Sequence, residues 1–366
     1  MNGPQQPHHQ GQPQGGGGGG GGGGHHHRHR RRRRGRGGHG PHGQQGQQGQ
    51  HGQHGQHGQH GHHGGGARRE QQPPRRTDAE VEFLNRTPVT PFEWIQFEKG
   101  SGENTMRAMD LLAPVGKGTR GLIVSPPKVG KTTYLKHICQ AVAKAEPQMK
   151  VLLLLVDERP EEVTDFKRAV TAEIFASTSD QGFESHIRAS ENVYHAAIQA
   201  AASGQDVMIV LDSLTRLARA YNTAQSGSRT LSGGLDSRAM ETPRRFFGAA
   251  RKLEEGGSIT ILATILVDTN SRMDEVIFQE FKGTGNMELV LSRPAAEARI
   301  FPALHVKNSG TRREELLLPP KTLETVWDLR RKLAAMSDLE ATKTIVELLR
   351  KFPTNEKLLA AVKGAV

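Results

Sequence analysis

The chain has 366 residues, enough for about two ordinary domains, yet 34% are hydrophobic and 5% aromatic, which is low for one continuous globule. Charge is segregated: residues 1–76 hold eleven Arg, no Lys and the single acid Glu70, hence +10 of the formal +11, and leave the remaining 290 residues near neutral. The lone Cys139 excludes a disulfide framework and a cysteine-rich zinc site, no apolar run approaches the roughly 18–20 residues that span a bilayer, and the start lacks the apolar core of a secretory signal, so a soluble cytoplasmic protein with no membrane segment is expected.

Residues 1–66 contain 26 of the 44 Gly and 14 of the 18 His, in a ten-Gly run at 15–24 and Gln-His-Gly triplets over 50–61, around the basic run 30–34. Such a segment cannot bury enough apolar surface to offset chain entropy. Residues 1–76 are therefore expected to be a disordered, basic low-complexity tail. Its Arg block suits phosphate backbones, which bind Arg by charge without sequence choice; a solvated spacer is the alternative. The clustered His25, His26, His27, His29, His62 and His63 offer Zn or Ni weak binding at best, without fixed geometry.

Residues 77–115 read as a connector. Asp78 to Leu84 predicts a short helix, and 87–97, with Pro88 and Pro91, an extended stretch. From Gly121 the pattern becomes regular. Apolar runs of strand length recur at 121–124, 151–156, 207–211 and 258–267, separated by helical periodicity at 132–145, 161–170, 186–202 and 243–255. This alternation predicts an α/β fold, a mostly parallel sheet covered by helices on both faces. Ligands of such sheets sit at the carboxyl ends of the strands. Residues 323–366 predict two or three amphipathic helices, with Ile345, Leu348, Leu349 and Phe352 on one face, in a packing role.

The motifs follow the apolar runs. After the first comes Ser125-Pro126-Pro127-Lys128-Val129-Gly130-Lys131-Thr132, which is similar to the P-loop with Ser125 in place of its first Gly. Gly130 lets the backbone approach a phosphate, the loop amides and helix start supply partial positive charge, Lys131 reaches the β/γ-phosphates and the Thr132 hydroxyl holds Mg²⁺. The run ending at Leu211 delivers Asp212, a carboxylate for Mg²⁺ through bound water; capping the next helix is its bland alternative. The run ending at Val156 delivers Asp157 and Glu158. Glu158 is the better candidate for the group that orients or deprotonates water, Asp157 the second, and capping the helix after Pro160 serves either.

Five longer motifs carry a resemblance. Val156-Asp-Glu-Arg-Pro-Glu-Glu-Val163, Leu211-Asp-Ser-Leu-Thr-Arg-Leu-Ala-Arg-Ala-Tyr-Asn222, Arg245-Phe-Phe-Gly-Ala-Ala-Arg251, Glu280-Phe-Lys-Gly-Thr-Gly-Asn-Met-Glu-Leu289 and Ser309-Gly-Thr-Arg-Arg-Glu-Glu-Leu316 resemble the transcription termination factor Rho family, in order, from about Phe92 to about Leu317. The resemblance implies a RecA-like P-loop NTPase domain over residues 116–320, with residues 321–366 as C-terminal helices packing on it. It implies a homohexameric ring with ATP between subunits, RNA through the central hole, and hydrolysis driving movement along a nascent transcript, with RNA polymerase as a candidate partner. It places Lys128, Lys131 and Thr133 with the nucleotide, Glu158 as the catalytic glutamate and Asp212 as the second metal-site carboxylate. It assigns Arg312 as the arginine finger reaching a neighbour's site, Arg159 and Arg299 as further nucleotide-site arginines, and Phe301 as the aromatic packing on adenine. A core aromatic is the alternative for Phe301.

The loops 222–235 and 268–273 are similar to the family's RNA-contacting loops, which implies RNA binding by Arg229, Arg272 and Lys282. The family often has Lys at the first two positions, and 222–235 is one residue short of the common pattern. Upstream the departure is larger. The family carries an OB-type RNA-binding barrel ahead of the ATPase, and residues 1–86 lack the alternating aromatic strands of one. The basic tail is expected to act as an unspecific RNA tether instead. Two other readings stand beside a Rho-type RNA translocase: another RecA-type ring ATPase, and an RNA-binding protein with an inactive ATP site.

Overall fold

The apolar run from Val151 to Val156 lies within the strand Lys150–Glu158 and is buried throughout. Its side chains part to opposite faces: Leu153 and Leu155 enter one core, Leu152, Leu154 and Val156 the other. A strand buried on both faces needs parallel neighbours whose crossovers cover the sheet. The structure, a computed structural model, describes residues 77–225, 232–236 and 238–364. Among these residues the main sheet has nine strands, with a central path of Gly310–Thr311, Met287–Val290, Arg120–Ser125, Ser258–Leu266, Asp206–Asp212, Lys150–Glu158 and Glu173–Thr178. Pairs along this path are parallel except at Gly310–Thr311, which runs antiparallel to Met287–Val290. This is the RecA-like α/β arrangement, and it aligns the carboxyl ends of the four apolar strands at one margin.

Helices cover both faces. Lys131–Ala145 and the C-terminal helices Pro320–Ala334, Asp338–Lys351 and Asn355–Gly364 enclose one core through Leu135, Ile138, Leu329, Ile345 and Leu358. Phe183–Ala202 and Leu214–Gln225 enclose the other through Val193, Ile198 and Leu217. The C-terminal stripe holds: Ile345 and Leu349 are buried, and Leu348 and Phe352 pack partly buried beside them. No described helix is long and apolar enough to cross a membrane.

One expectation changes. The helix expected over 243–255 is Glu241–Gly248, after which Arg251–Leu253 forms a strand antiparallel to Ser258–Leu266. Gly256 and Gly257 both have positive φ and turn the chain back there. The short helix in the connector, Asp78–Asn85, is firmly docked. Thr77 Oγ1 caps it by accepting from the Glu80 amide at 3.2 Å, Phe83 is fully buried, and Glu80 accepts from the Tyr194 hydroxyl at 2.8 Å. Burying Phe83 stabilises by about 1.5–3 kcal/mol.

Candidate nucleotide site

The first apolar strand ends at Ser125 and the helix Lys131–Ala145 starts six residues later. Ser125 is buried and donates to the Pro126 carbonyl at 3.1 Å, so a small hydroxyl residue fits where the P-loop pattern has glycine. Beyond Pro127, Lys128 (φ 64°) and Gly130 (φ 93°) are both left-handed, flanking the buried Val129, which anchors the loop in the core. Left-handed residues in such a loop turn successive amides to one side, as an anion cradle requires. Thr132, half-buried, and Thr133, exposed, occupy the first helical turn, where the helix dipole favours negative charge.

Lys131, Asp212 and Glu158 come together from three elements. Lys131 Nζ lies 2.5 Å from Asp212 Oδ1 and 3.1 Å from Glu158 Oε1. Asp212 and Glu158 close neighbouring parallel strands, and both are almost wholly buried. Asp212 Oδ1 also accepts from Thr264 Oγ1 at 2.7 Å, whereas its buried Oδ2 has no protein partner. An orphaned buried carboxylate oxygen is costly. It is the kind of acceptor that a metal-bound water satisfies, and Thr132 follows Lys131 in the first turn of the helix, so the residue types present fit Mg²⁺.

Glu158 and not Asp157 reaches Lys131. Asp157 has φ 56° at a bulge between Val156 and Glu158, and its carboxylate is 40% exposed, 4.0 Å from Arg216 Nε. Arg216, which the sequence reading missed, holds Glu158: its Nη1 lies 2.5 Å from Glu158 Oε1 and donates to the Asp157 carbonyl at 2.6 Å. Burial lowers the Arg216 pKa, but the Glu158 charge and hydrogen bond outweigh it and hold the guanidinium above its usual range. Glu162 also feels the site: burial, then the Glu158 charge, push its carboxyl up. The signals for these residues were present. Arg216 stands four positions after Asp212, so the first helical turn returns it to the strand ends; Thr264 is polar within a fully buried strand, so it needs a partner.

The remaining predicted residues divide by place. Arg159 is exposed at the start of the helix Pro160–Ala169. Phe301 is 42% exposed, which removes the core alternative, and its ring edge would lie 3.9 Å from a β-carbon on Gly130, beside the phosphate loop. Arg299 is exposed two residues earlier. Arg312 is not brought to Lys131. Its amide donates to the Asn286 carbonyl, and the Asn286 amide to the Arg120 carbonyl. It therefore sits level with Arg120, at the opposite end of the strand from Ser125, about 17 Å along the strand direction.

Arg272 and Lys282 are the first and last residues of one helix, about 15 Å apart, and the Lys282 ammonium sits 5.5 Å over the Phe278 ring. Arg229 lies outside the described residues. Gly233 (φ 80°) packs so closely that a β-carbon there would meet the Arg272 backbone at 3.2 Å, so the two predicted loops meet at Arg272.

Fold and site together define a RecA-like ATP-binding domain. The nucleotide-binding domain model of the ATP synthase alpha/beta family matches residues 105–311. Among solved structures, a prototypical ATPase from the type III secretion system of pathogenic bacteria shares the fold, with a TM-score of 0.63 and 23% identity over 77% of this chain and 87% of that one. Among curated relatives, transcription termination factor Rho of Pseudomonas aeruginosa is 48% identical over 294 residues, 79% of this chain and 70% of that one. The Haemophilus influenzae protein of the same name gives the same figures, and that of Buchnera aphidicola subsp. Schizaphis graminum is 47% identical over the same span. The chain belongs to the transcription termination factor Rho family.

Proposed function

We propose that this chain is an RNA-dependent ATPase and translocase that terminates transcription, working as a homohexameric ring with ATP between subunits. The observation that carries the reading is a division of one site across the sheet. Lys131, Glu158 and Asp212 cluster at the carboxyl margin, while Arg312 stands at the amino margin. A site whose parts lie on opposite edges is completed by head-to-tail assembly, and repetition of that contact gives a ring where its rotation closes.

In this scheme Lys131 and the loop amides grip the phosphates, Phe301 lies against the base with Thr133 and Arg299 nearby, and Glu158 orients the attacking water. Arg312 of the next copy stabilises charge spreading over the transferred phosphoryl oxygens. Mg²⁺, held by Thr132 and through water by Asp212, would neutralise charge on the β- and γ-oxygens when bound. Arg229, Arg272 and Lys282 contact RNA phosphate and sugar, which suits a motor that passes every base. Residues 1–76 act as a tether that raises RNA concentration near the ring. RNA polymerase is the further partner, and the cytoplasm the setting.

The test is ATP hydrolysis with poly(C), mixed RNA, DNA or no nucleic acid, run beside a mass measurement. RNA-selective stimulation of a six-copy assembly is expected. A monomer hydrolysing at full rate without RNA overturns the reading; equal stimulation by DNA moves it to another RecA-type motor.

A further inference from the structure

Two arginines on one helix join the hydrolysis site to the loops assigned to RNA. The helix Leu214–Gln225 begins two residues after Asp212. In its first turn Arg216 reaches back to Glu158 Oε1 and the Asp157 carbonyl. Arg219 lies three residues on, about one turn further along the same helix. It grips Asp274 with two prongs: Nε donates to Oδ1 at 2.8 Å and Nη2 to Oδ2. Asp274 is 1% exposed and accepts a third bond from Thr269 Oγ1 at 2.6 Å. Thr269 and Asp274 bracket the turn that presents Arg272, so one carboxylate fastens both ends of that turn to Arg219. The other loop is tied to the same helix near its end. Asn222 Oδ1 accepts from the Asp236 amide at 2.7 Å, and its Nδ2 donates to the Gly234 carbonyl at 3.1 Å.

None of the phosphate chemistry requires an ion pair between Arg219 and Asp274. A two-pronged pair to a buried carboxylate does impose geometry, because both bonds hold only at one separation and angle. A packed helix transmits such a constraint along its axis without bending. We propose that the Leu214–Gln225 helix is a coupling rod, in which Arg216 positions the Glu158 carboxylate and the Arg219–Asp274 pair makes that position depend on where the RNA loops stand. The inference rests on the proposed RNA-stimulated ATPase and names the parts through which stimulation passes. Arg216 and Arg219 are both positioning residues. RNA drawing on Arg272 moves Asp274, hence Arg219, hence the helix and the orientation of Glu158.

The test uses the full chain with Arg219→Gln. The Arg219 side chain is 41% exposed and Gln keeps a donor for the buried Asp274 carboxylate, while the melt reads any loss of stability. ATP hydrolysis is measured with and without poly(C), beside poly(C) affinity, assembly mass and thermal melting. The unstimulated rate, RNA affinity and mass are expected to match the unaltered chain, while the RNA-stimulated increment falls by about tenfold, a usual size for coupling between sites. Arg219→Lys restores part of it, because an ammonium does not span both carboxylate oxygens as the guanidinium fork does. Full stimulation in Arg219→Gln overturns the rod. So does a loss in which stimulated and unstimulated rates fall in the same proportion, since that marks a pair serving stability alone. Absence of RNA stimulation in the unaltered chain is a different result and overturns the proposed function itself.

Discussion

The Arg312 amide donates to the Asn286 carbonyl at 2.8 Å, and this bond holds the Arg312 backbone at the end of the sheet opposite Ser125 and the phosphate loop. On the proposed reading, Arg312 therefore serves the site of another copy. Lys131→Ala and Arg312→Ala are each expected to abolish RNA-stimulated hydrolysis, the arginine variant by about 10³-fold or more. Mixed and reassembled, the two variants should recover a measurable fraction, because some interfaces pair an intact Lys131 with an intact Arg312. Steady-state hydrolysis of the mixture decides the point. A mixture no more active than its parts sinks the shared site.

Glu158 sits between two cations, Lys131 at 3.1 Å and Arg216 at 2.5 Å. Glu158→Gln keeps the shape and an acceptor for both, and removes the carboxylate proposed to orient water. Turnover is expected to fall by about 10²–10⁴-fold, with binding of a fluorescent ATP analogue retained. A variant that keeps its rate would hand the role to Asp157, whose carboxylate stands partly exposed beyond the bulge.

How much of this was legible beforehand follows from what each signal encodes. Continuous apolar runs mark strands buried on both faces, so Val151–Val156 and its three counterparts announced the parallel core. The edge strand Glu173–Thr178 is largely half-buried and mixes Ser and Thr with apolar residues, so periodicity passed over it. Arg251–Leu253 was hidden because its sequence continues the preceding helical pattern until two glycines turn it. Lys131 and Asp212 were readable as a pair because phosphate and metal chemistry restrict residue type and spacing together, and the fold brings the two within 2.5 Å. Arg216 and Arg219 were not, since their partners Glu158 and Asp274 lie about 55 or more residues away along the chain and meet them only through folding. The family motifs point to Arg312, and the sheet register sets its backbone at the opposite end of the strand from Ser125.

Asp110 gives the fold a pH dependence. It accepts from the Phe97 amide at 3.2 Å and the Glu98 amide at 2.8 Å, and burial pushes its carboxyl up to about 8 against the pull of those bonds. The folded chain thus keeps a proton that the unfolded chain, with its carboxyl at 3.8, has lost. Stability from this group is greatest below the unfolded value, declines as pH rises toward about 8, and is flat above it. Thermal melts across that window should show a falling midpoint, and Asp110→Asn, neutral throughout, should flatten the fall. An identical slope in the variant would place the dependence in other groups.

Residues 1–76 bring eleven Arg against one acid to a chain whose remainder is nearly neutral, and they lie outside the described residues. If they tether RNA, their charge enters binding through counterion release. Each phosphate they neutralise on a single strand adds about 0.7 to the slope of log affinity against log salt. Removing them should weaken RNA binding at low salt, flatten the slope by several such increments, and leave hydrolysis at saturating RNA unchanged, because the ring's own contacts then suffice. Anisotropy titrations over a salt series separate these outcomes. A shortened chain with the same affinity and the same slope would leave the arginines without a part in RNA capture, and all of the binding would fall to the loops that meet at Arg272.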